Sequence, residues 1–301
     1  MDLRTLRYCE AVDRLGSITR AAEVLHVAQP ALSVAIKKLE RELGVVLFAR
    51  HKRRGVALTS EGRILMRRAQ SIFAELNSVK RELADAVGLR SGEVKVGVPP
   101  MYGLRAFPTL IKAFHTAYPG LSITLFEGSA GEVGGLLDSA EIDLAVLDSR
   151  RIRGGWVHVP MGVEEMVLCV HRGHKLARST KVTGQDLDGL PMAVFDESFI
   201  QRNLLDQWCQ KAGVSYSIIL QSNSVPLVHQ AALDGIGATT LLRSLVQAEG
   251  KLVPLSFDPP EIMHFKLCWS DERYVSKASM AFIEFVTSRN ESLEKAAKVE
   301  I

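Results

Sequence analysis

The most constraining feature of the chain is residues 17–59, whose pattern specifies two short helices, a tight turn and a basic hairpin. Ser17 is a good N-cap for the first helix, and the small side chains of Ala21 and Ala22 let another helix approach closely. Residues 26–28 form the turn. Pro30 then lies in the first turn of the next helix, where its missing N–H costs nothing. This order of elements predicts a helix-turn-helix.

The second of these helices has two distinct faces. Apolar residues spaced by four, three and four positions form one stripe: Leu32, Ile36, Leu39 and Leu43. The opposite face is small near its start and cationic further along, with Pro30, Val34, Lys37 and Arg41. A helix that enters a DNA groove needs amides and small residues near base edges and cations near phosphates. An ordinary amphipathic helix with a solvated lysine face has the same pattern, so this helix alone favours neither interpretation.

The segment that follows favours DNA. Gly44 ends the helix as a C-cap, and residues 45–48 are apolar. Residues 50–55 then place five basic or imidazole groups before a turn glycine, which predicts a two-stranded wing with a cationic tip. Such a tip can lie on phosphates or put an arginine into a narrow minor groove. The residues predicted to contact DNA are Arg20, Gln29, Pro30, Ser33, Val34, Lys37, Lys38, Arg50, Lys52, Arg53 and Arg54.

Charge is distributed unevenly along the 301 residues. Residues 1–90 hold 17 Lys and Arg against 10 Asp and Glu, whereas residues 91–301 hold 20 against 24, although the net charge is only +3. A basic N-terminal part on a mildly acidic remainder indicates a polyanionic partner at one end only, chance being the alternative. With 47% hydrophobic and 24% charged residues, the chain can bury ordinary cores in two or three domains.

Residues 17–62 resemble the N-terminal domain of LysR-type transcriptional regulators. The matching residues are Ser17, Ala21, Ala22, Leu25, Gln29, Pro30, Ala31, Leu32, Ser33, Ile36, Leu39, Glu40, Leu43, Gly44, Leu47, Phe48, Arg50, Leu58, Thr59 and Gly62. Ala28 departs from the family, which usually has Ser or Thr before Gln-Pro to cap the recognition helix. Its loss removes about 1 kcal/mol of capping, so Gln29, Ser33 or the wing must carry more of the backbone contact.

A long helix is predicted after Thr59, which can cap it. Apolar residues alternate at gaps of four and three and form a heptad seam: Leu65, Ala69, Ile72, Leu76, Val79 and Leu83. At about 28 residues the helix is roughly 42 Å long. We expect a coiled coil between two chains rather than a helix packed on its own domain. The resemblance implies the same pairing, a roughly palindromic operator, and a homotetramer built as a dimer of dimers.

The remaining two-thirds alternate strand and helix patterns, which predicts parallel sheets covered by helices. The predicted fold class is α/β: an N-terminal winged helix-turn-helix, a long linker helix and, as the resemblance implies, a two-subdomain periplasmic-binding-protein-like α/β effector domain. The expected domains are residues 1–59, 60–90 and 91–301. The resemblance divides the last into subdomain I, about 91–162 plus 267–301, and subdomain II, about 163–266.

A ligand of such a domain sits at the carboxyl ends of strands, in the crevice between its halves. The candidate effector-binding residues are Pro99, Pro100, Met101, Gly128, Ser129, Ala130, Phe195, Ser198, Asn223, Ser224 and Thr239. Hydroxyls and helix N-termini suit an anion, so a small or aromatic carboxylic acid is the expected effector. Taken singly, Ser129, Ser198 and Ser224 are better explained as helix N-caps, and their convergence on one cleft is inferred from the fold. Pro100 and Met101 replace a hydroxyl that many family members have, which predicts a more apolar wall with Met101 and Phe195 facing the ligand.

Other features narrow the class of protein. The four cysteines stand far apart without a CxxC pair, which excludes a zinc ribbon, fits a reducing cytosol and predicts buried thiols. Cys209 has no neighbouring cysteine with which it could form a disulfide, so a redox-sensing role for its thiol is not favoured. We expect no metal, no cofactor, no signal peptide and no membrane span, and hence a cytoplasmic protein.

Three functions compete for this sequence. The first is a ligand-responsive transcriptional regulator, which would act through changed DNA bending or a contact with RNA polymerase. The second is an enzyme with an N-terminal DNA-binding module, but the chain lacks a phosphate loop, a GxSxG elbow and metal-spaced ligands. The third is an architectural DNA-binding protein without an effector, which leaves the large α/β part unexplained. We therefore expect a regulator and not an enzyme.

Overall fold

The structure is a computed structural model that describes residues 1–51, 55–86, 92–247 and 250–299. It divides into two compact units, Met1–Asn77 and Ser78–Ile301. The predicted wing-tip cations Lys52, Arg53 and Arg54 lie outside the described residues.

The first unit holds the predicted helix-turn-helix and wing. Its elements are α1 (Leu3–Leu15), α2 (Ile18–Val24), α3 (Gln29–Leu43), β1 (Phe48–His51), β2 (Gly55–Leu58) and the first part of α4 (Ser60–Ala86). Ser17 caps α2 by accepting the N–H of Arg20 at 3.3 Å, and Gly44 ends α3 in the left-handed region at φ 69°. The strands β1 and β2 pair antiparallel as the wing.

The core of this unit explains how three helices and a hairpin hold one shape. The side chains of Leu32, Ile36 and Leu39 are buried against α1, α2 and α4, while Leu43, predicted to join them, is 39% exposed. Ala21 and Ala22 are fully buried, so their small side chains set the close approach of α2. At Gly62 an added Cβ would lie 2.2 Å from the carbonyl oxygen of Leu47, which explains why only glycine fits where α4 passes the wing.

The second unit is α/β. Its elements are β3 (Gly92–Val98), α5 (Pro100–Ala117), β4 (Leu121–Glu127), α6 (Ala130–Asp138), β5 (Leu144–Asp148), β6 (Trp156–His171), β7 (Lys181–Val182), β8 (Pro191–Phe195), α7 (Ile200–Ala212), β9 (Ser217–Ser222), α8 (Val225–Leu233), β10 (Thr239–Leu242), α9 (Arg243–Gln247), β11 (Leu252–Ser270) and α10 (Lys277–Val299). The strands β4, β3 and β5 are parallel neighbours, and β8 runs parallel to β9. None of the described helices is long and apolar enough to cross a membrane.

Two strands are much longer than their sequence pattern predicted. The pair β6 and β11 runs antiparallel from Trp156 opposite Ser270 to His171 opposite Leu252. The alternating pattern indicated only residues 166–170 and 252–255, because prolines and a glycine interrupt the rest. Register shifts between Ser256 and Glu261 and beside Phe265 absorb those interruptions, as β-bulges do. This pair joins the strands of the two halves into the sheet order β10-β6-β11-β5-β3-β4.

Candidate DNA-binding surface and effector cleft

The outer face of α3 carries the residues predicted to read DNA. Gln29, Pro30, Val34, Lys37 and Lys38 are exposed and Ser33 is half-buried. The Gln29 amide donates from Nε2 to the Ser33 hydroxyl at 2.9 Å. Lys38 is offset from this face, because it lines a groove against α1 together with Arg4 and Glu42. We name the surface formed by Gln29, Pro30, Ser33, Val34 and Lys37 the reading face.

The N-terminus of α3 is uncapped. Ala28 stands at the N-cap position, and no side chain accepts a hydrogen bond from the first turn there. The departure from the family pattern therefore has the local consequence predicted for it. Because Pro30 has no N–H, the open donors of this turn are the backbone amides of Gln29 and Ala31. Open amides at the start of a 15-residue helix are suited to a phosphate oxygen.

Backbone ties hold the wing against the helices. Glu40 of α3 accepts the N–H of Leu47 at 2.8 Å and of Phe48 at 3.4 Å, so the carboxylate fixes the start of β1. Val56 of β2 donates to the carbonyl of Gly16 in the α1–α2 turn at 3.0 Å. Arg50 lies within β1, and Arg20 is exposed at the start of α2. The sequence pattern did not single out Glu40, although its place in the family match is a signal for this contact.

Part of the predicted heptad seam of α4 packs in the core of the first unit, and the rest of the seam is exposed. Ala69 is 1% exposed, in the core of its own unit, where Leu65 and Leu76 also pack. Met66 and Phe73, off the predicted seam, are buried in the same core. The expectation of a coiled coil rather than a helix packed on its own domain was wrong for the first half of this helix, because α1 and the wing cover it there. Ile72, Val79 and Leu83 remain exposed, as does Ile64, and they form an apolar stripe along the helix.

In the second unit a cavity of about 460 Å³ lies among the carboxyl ends of β4 and β8 and the starts of α5, α6 and α8. We name this cavity the cleft. Six residues predicted to bind an effector line it: Pro100, Gly128, Ser129, Ser198, Asn223 and Ser224. Pro99, Met101 and Ala130 line a side cavity of about 20 Å³ that shares Pro100, Gly128, Ser129 and Phe199 with the cleft.

Two predicted residues do not line either cavity. The buried ring of Phe195 stacks on Phe199 at 5.1 Å between centroids, so Phe199 is the aromatic side chain that lines the cleft. Thr239 is fully buried and pairs with Cys169 in the sheet, and its Oγ1 has no hydrogen-bond partner in the structure. The helix α5 begins at Pro100, because Pro99 takes the N-cap position. Met101, predicted to face the ligand, is therefore turned into the buried first turn instead.

Two of the three serines of the cleft are helix caps as well as lining residues. Ser198 is not a cap, because Phe199 takes the N-cap position of α7. Ser129 and Glu132 form a capping box at the start of α6, with the N–H of Ser129 donating to Glu132 at 2.8 Å. Ser224 caps α8 through the N–H of Leu227 at 3.4 Å. The interpretation of these two residues as helix N-caps is thus correct, and it is compatible with their position at the cleft.

Charged residues that the sequence interpretation missed also line the cleft. They are Glu127 at the end of β4, Glu132 in α6 and Asp196 directly after β8. Below them, the buried Asp148 accepts from Arg150 Nε at 2.7 Å and from the N–H of His264 at 3.1 Å. Glu261 binds the same guanidinium at 2.6 Å. Among the described residues no group of three His, Cys, Asp or Glu side chains is placed to hold a metal ion.

The thiols are buried and resist ionisation. Burial raises the pKa of Cys9 and Cys268 to about 12 and also raises that of Cys169. The pKa of Cys209 is raised to about 11, mainly by burial and further by Asp206 and Asp188. All four are free and buried, as the sequence predicted. The thiolate is the reactive form, so the structure describes inert thiols.

A winged helix-turn-helix joined to an α/β unit with a ligand-sized cleft defines a DNA-binding transcriptional regulator with an effector domain. Comparison with known proteins agrees. The model for "Bacterial regulatory helix-turn-helix protein, lysR family" matches residues 3–63, and that for "LysR substrate binding domain" matches residues 88–291. The chain belongs to the LysR family of transcriptional regulators.

Individual relatives span nearly the whole chain. An uncharacterized HTH-type transcriptional regulator, YwbI of Bacillus subtilis, is 31% identical over 292 residues, 96% of each chain. A hydrogen peroxide-inducible genes activator of Dickeya chrysanthemi is 30% identical over 241 residues, 80% of this chain and 79% of the relative. Among solved structures, a full-length OxyR variant from Pseudomonas aeruginosa superposes with a TM-score of 0.65 at 25% identity, covering 95% of this chain and 94% of that one.

Proposed function

We propose that this LysR-type regulator responds to a small molecule held reversibly in the cleft, and that binding changes how the reading faces of paired chains meet DNA. The observation that carries the proposal is the cleft itself. A cavity of about 460 Å³ is within the range of small-molecule sites, and an architectural protein has no use for one. Neither an enzymatic function nor a purely architectural one is favoured by any feature of the described residues.

The sensing mode is proposed to be binding rather than thiol oxidation. Several relatives are named as hydrogen peroxide-inducible activators, which raises peroxide as a candidate signal. The buried thiols of this chain, with raised pKa values, argue against that chemistry here. The carboxylates of the cleft in turn argue against the small or aromatic carboxylic acid that the sequence pattern favoured.

Pairing of α4 helices is proposed to create the dimer. The exposed apolar stripe of Ile72, Val79 and Leu83 supports an interface along the second half of the helix. A two-fold dimer reads two half-sites, so we propose a roughly palindromic operator, with a dimer of dimers as the working assembly. Closure of the cleft would re-space the DNA-binding units and alter DNA bending or a contact with RNA polymerase. Because its partner is chromosomal DNA, we propose a cytoplasmic location.

Footprinting on the DNA upstream of the chain's own gene and of its neighbour tests the proposal. We expect two protected half-sites about one or more helical turns apart, each turn being roughly 34–36 Å. Adding metabolites that raise the melting temperature of the protein should change the extent or spacing of protection. Protection that no metabolite in a charge-diverse panel alters would instead support an architectural protein.

A further inference from the structure

The described residues that line the cleft include three carboxylates and no lysine or arginine. Glu127 is engaged by no hydrogen bond or ion pair from any described residue. Glu132 uses Oε2 to accept the N–H of Ser129, and Asp196 uses Oδ1 to accept the N–H of Ser198 at 2.9 Å. The second oxygen of each of these carboxylates is left open by the described part of the chain. The cleft therefore offers acceptors that carry negative charge.

Helix dipoles oppose this charge but do not balance it. The N-cap residues of α6, α7 and α8, which are Ser129, Phe199 and Ser224, all line the cleft. Each helix start is equivalent to roughly half a positive charge. With the start of α5, whose first residue Pro100 also lines the cleft, four such ends still fall short of three full carboxylates, and the capping box at Ser129 already occupies part of one. An anionic ligand would therefore meet net repulsion in the cleft, and a cationic one net attraction.

A buried polar group lies in the side cavity, which shares four residues with the cleft. Gln201, in the side cavity, is 3% exposed, and its amide makes only a contact of 3.7 Å from Nε2 to the sulfur of Met101. Its amide oxygen accepts no hydrogen bond from a described residue. Buried polar groups are nearly always partnered, so this oxygen is suited to a donor of the size of a water. Arg151 lines the side cavity, which at about 20 Å³ holds about one water, and it does not line the cleft.

The remaining walls are apolar. Leu104, Phe199, Val225 and Pro226 face the cleft and can cover a hydrocarbon body. Resting on the proposed function, which takes the cleft as the effector site, we infer that the effector is an organic cation: an amine or amidine with an apolar body. Its nitrogen is held by Glu127, Glu132 and Asp196.

Calorimetric titration of the full chain with three amines (benzylamine, tyramine and putrescine) and with benzoate tests this inference. Benzylamine and benzoate have similar shape and opposite charge. We expect at least one amine to bind at least tenfold more tightly than benzoate. Glu127→Gln, which removes a charge but no hydrogen bond of the fold, should weaken that amine at least tenfold. Glu284→Gln, on the exposed face of α10, is the control and should not change it.

Three results would overturn the inference: tighter binding of benzoate, no binding of any of the three amines, or amine binding that Glu127→Gln leaves unchanged. Operator binding is measured on the same preparations. If the protein still binds its operator but its cleft prefers benzoate, the cationic effector is refuted and the proposed function is not. Operator binding that no bound molecule alters would refute the proposed function.

Discussion

The Gln29 amide and the Ser33 hydroxyl are joined by a hydrogen bond of 2.9 Å along one turn of α3. The bond uses one of the two Nε2 protons and holds the amide on the exposed face of the helix. Recognition of adenine by glutamine needs the amide oxygen and a remaining N–H presented together. Ser33 therefore pre-orients the amide that we propose reads a base, so that less side-chain entropy would be lost when DNA binds.

Gln29→Ala should relax base preference at one position of each half-site, at a cost of about 1–3 kcal/mol in discrimination. Lys37→Ala should instead weaken binding to every sequence and reduce the slope of affinity against salt by about one charge, because it removes a phosphate contact. Selection from a library of randomised operators, repeated at several salt concentrations, separates the two. Identical behaviour of the two variants would show that Gln29 does not read bases.

The two halves of α4 should respond differently to substitution. Phe73 is 4% exposed in the core of the first unit, so Phe73→Ala should cost about 3–5 kcal/mol in its stability. Val79 is 44% exposed, so Val79→Asp should leave the fold intact. It should separate paired chains, because it places a charge in the apolar stripe of α4. Circular dichroism melting reports the first effect and sedimentation velocity the second. If Val79→Asp sediments like the unsubstituted protein, the dimer does not form along this stripe.

Features set by residues close in the sequence were predicted more accurately than features set by residues far apart in the chain. The caps at Ser17 and Gly44 depend on residues within one turn, so the sequence pattern identified them correctly. Burial of Ala69 and Phe73 depends on α1, which is more than fifty residues away in the chain, so the period of α4 alone pointed to the wrong partner for its first half. The long pairing of β6 with β11 is likewise set by distant residues.

The sequence pattern predicted six of the residues that line the cleft but not the charge of that lining. Strand ends and helix starts led to Ser129, Ser198 and Ser224, which do line the cleft. Glu127 ends β4 and Asp196 follows β8, so the same rule could have found both carboxylates had acidic residues been weighed with the hydroxyls. Phe195 ends β8 and Thr239 begins β10. Both were placed wrongly because successive residues of a strand point to opposite faces, so a shift of one position exchanges the cleft for the core.

Acid should destabilise the second unit through Glu165. Burial raises the pKa of this carboxyl, but the hydrogen bonds from Arg243, at 2.6 Å, and Ser256 and the charge of Arg243 lower it by more, so its pKa lies below the ordinary 4.5. A lowered folded-state pKa contributes stability above the unfolded pKa, and that stability is lost as the pH falls through the folded value. Glu165→Gln should therefore cost about 1–3 kcal/mol at pH 7 and less below pH 4.

Melting temperatures from pH 7 to pH 3 measure this effect. The surface pair of Glu93 and Lys95, 3.9 Å apart, supplies a control, because Glu93→Gln should have little effect at any pH. A Glu165→Gln variant whose deficit is the same at pH 3 and pH 7 would mean that the ion pair with Arg243 does not drive the acid response.

Hydrogen peroxide should leave operator binding unchanged. Burial, with Asp206 and Asp188, raises the pKa of Cys209 to about 11, so at pH 8 only about one molecule in a thousand carries its thiolate. Iodoacetamide should label the native chain slowly, at a rate that increases with pH, and should label four cysteines once the chain is denatured. Mass spectrometry counts the labels, and mobility shifts before and after peroxide report DNA binding. A peroxide response that Cys209→Ser abolishes would make this chain a thiol sensor after all, and reversible ligand binding would then not be its signal.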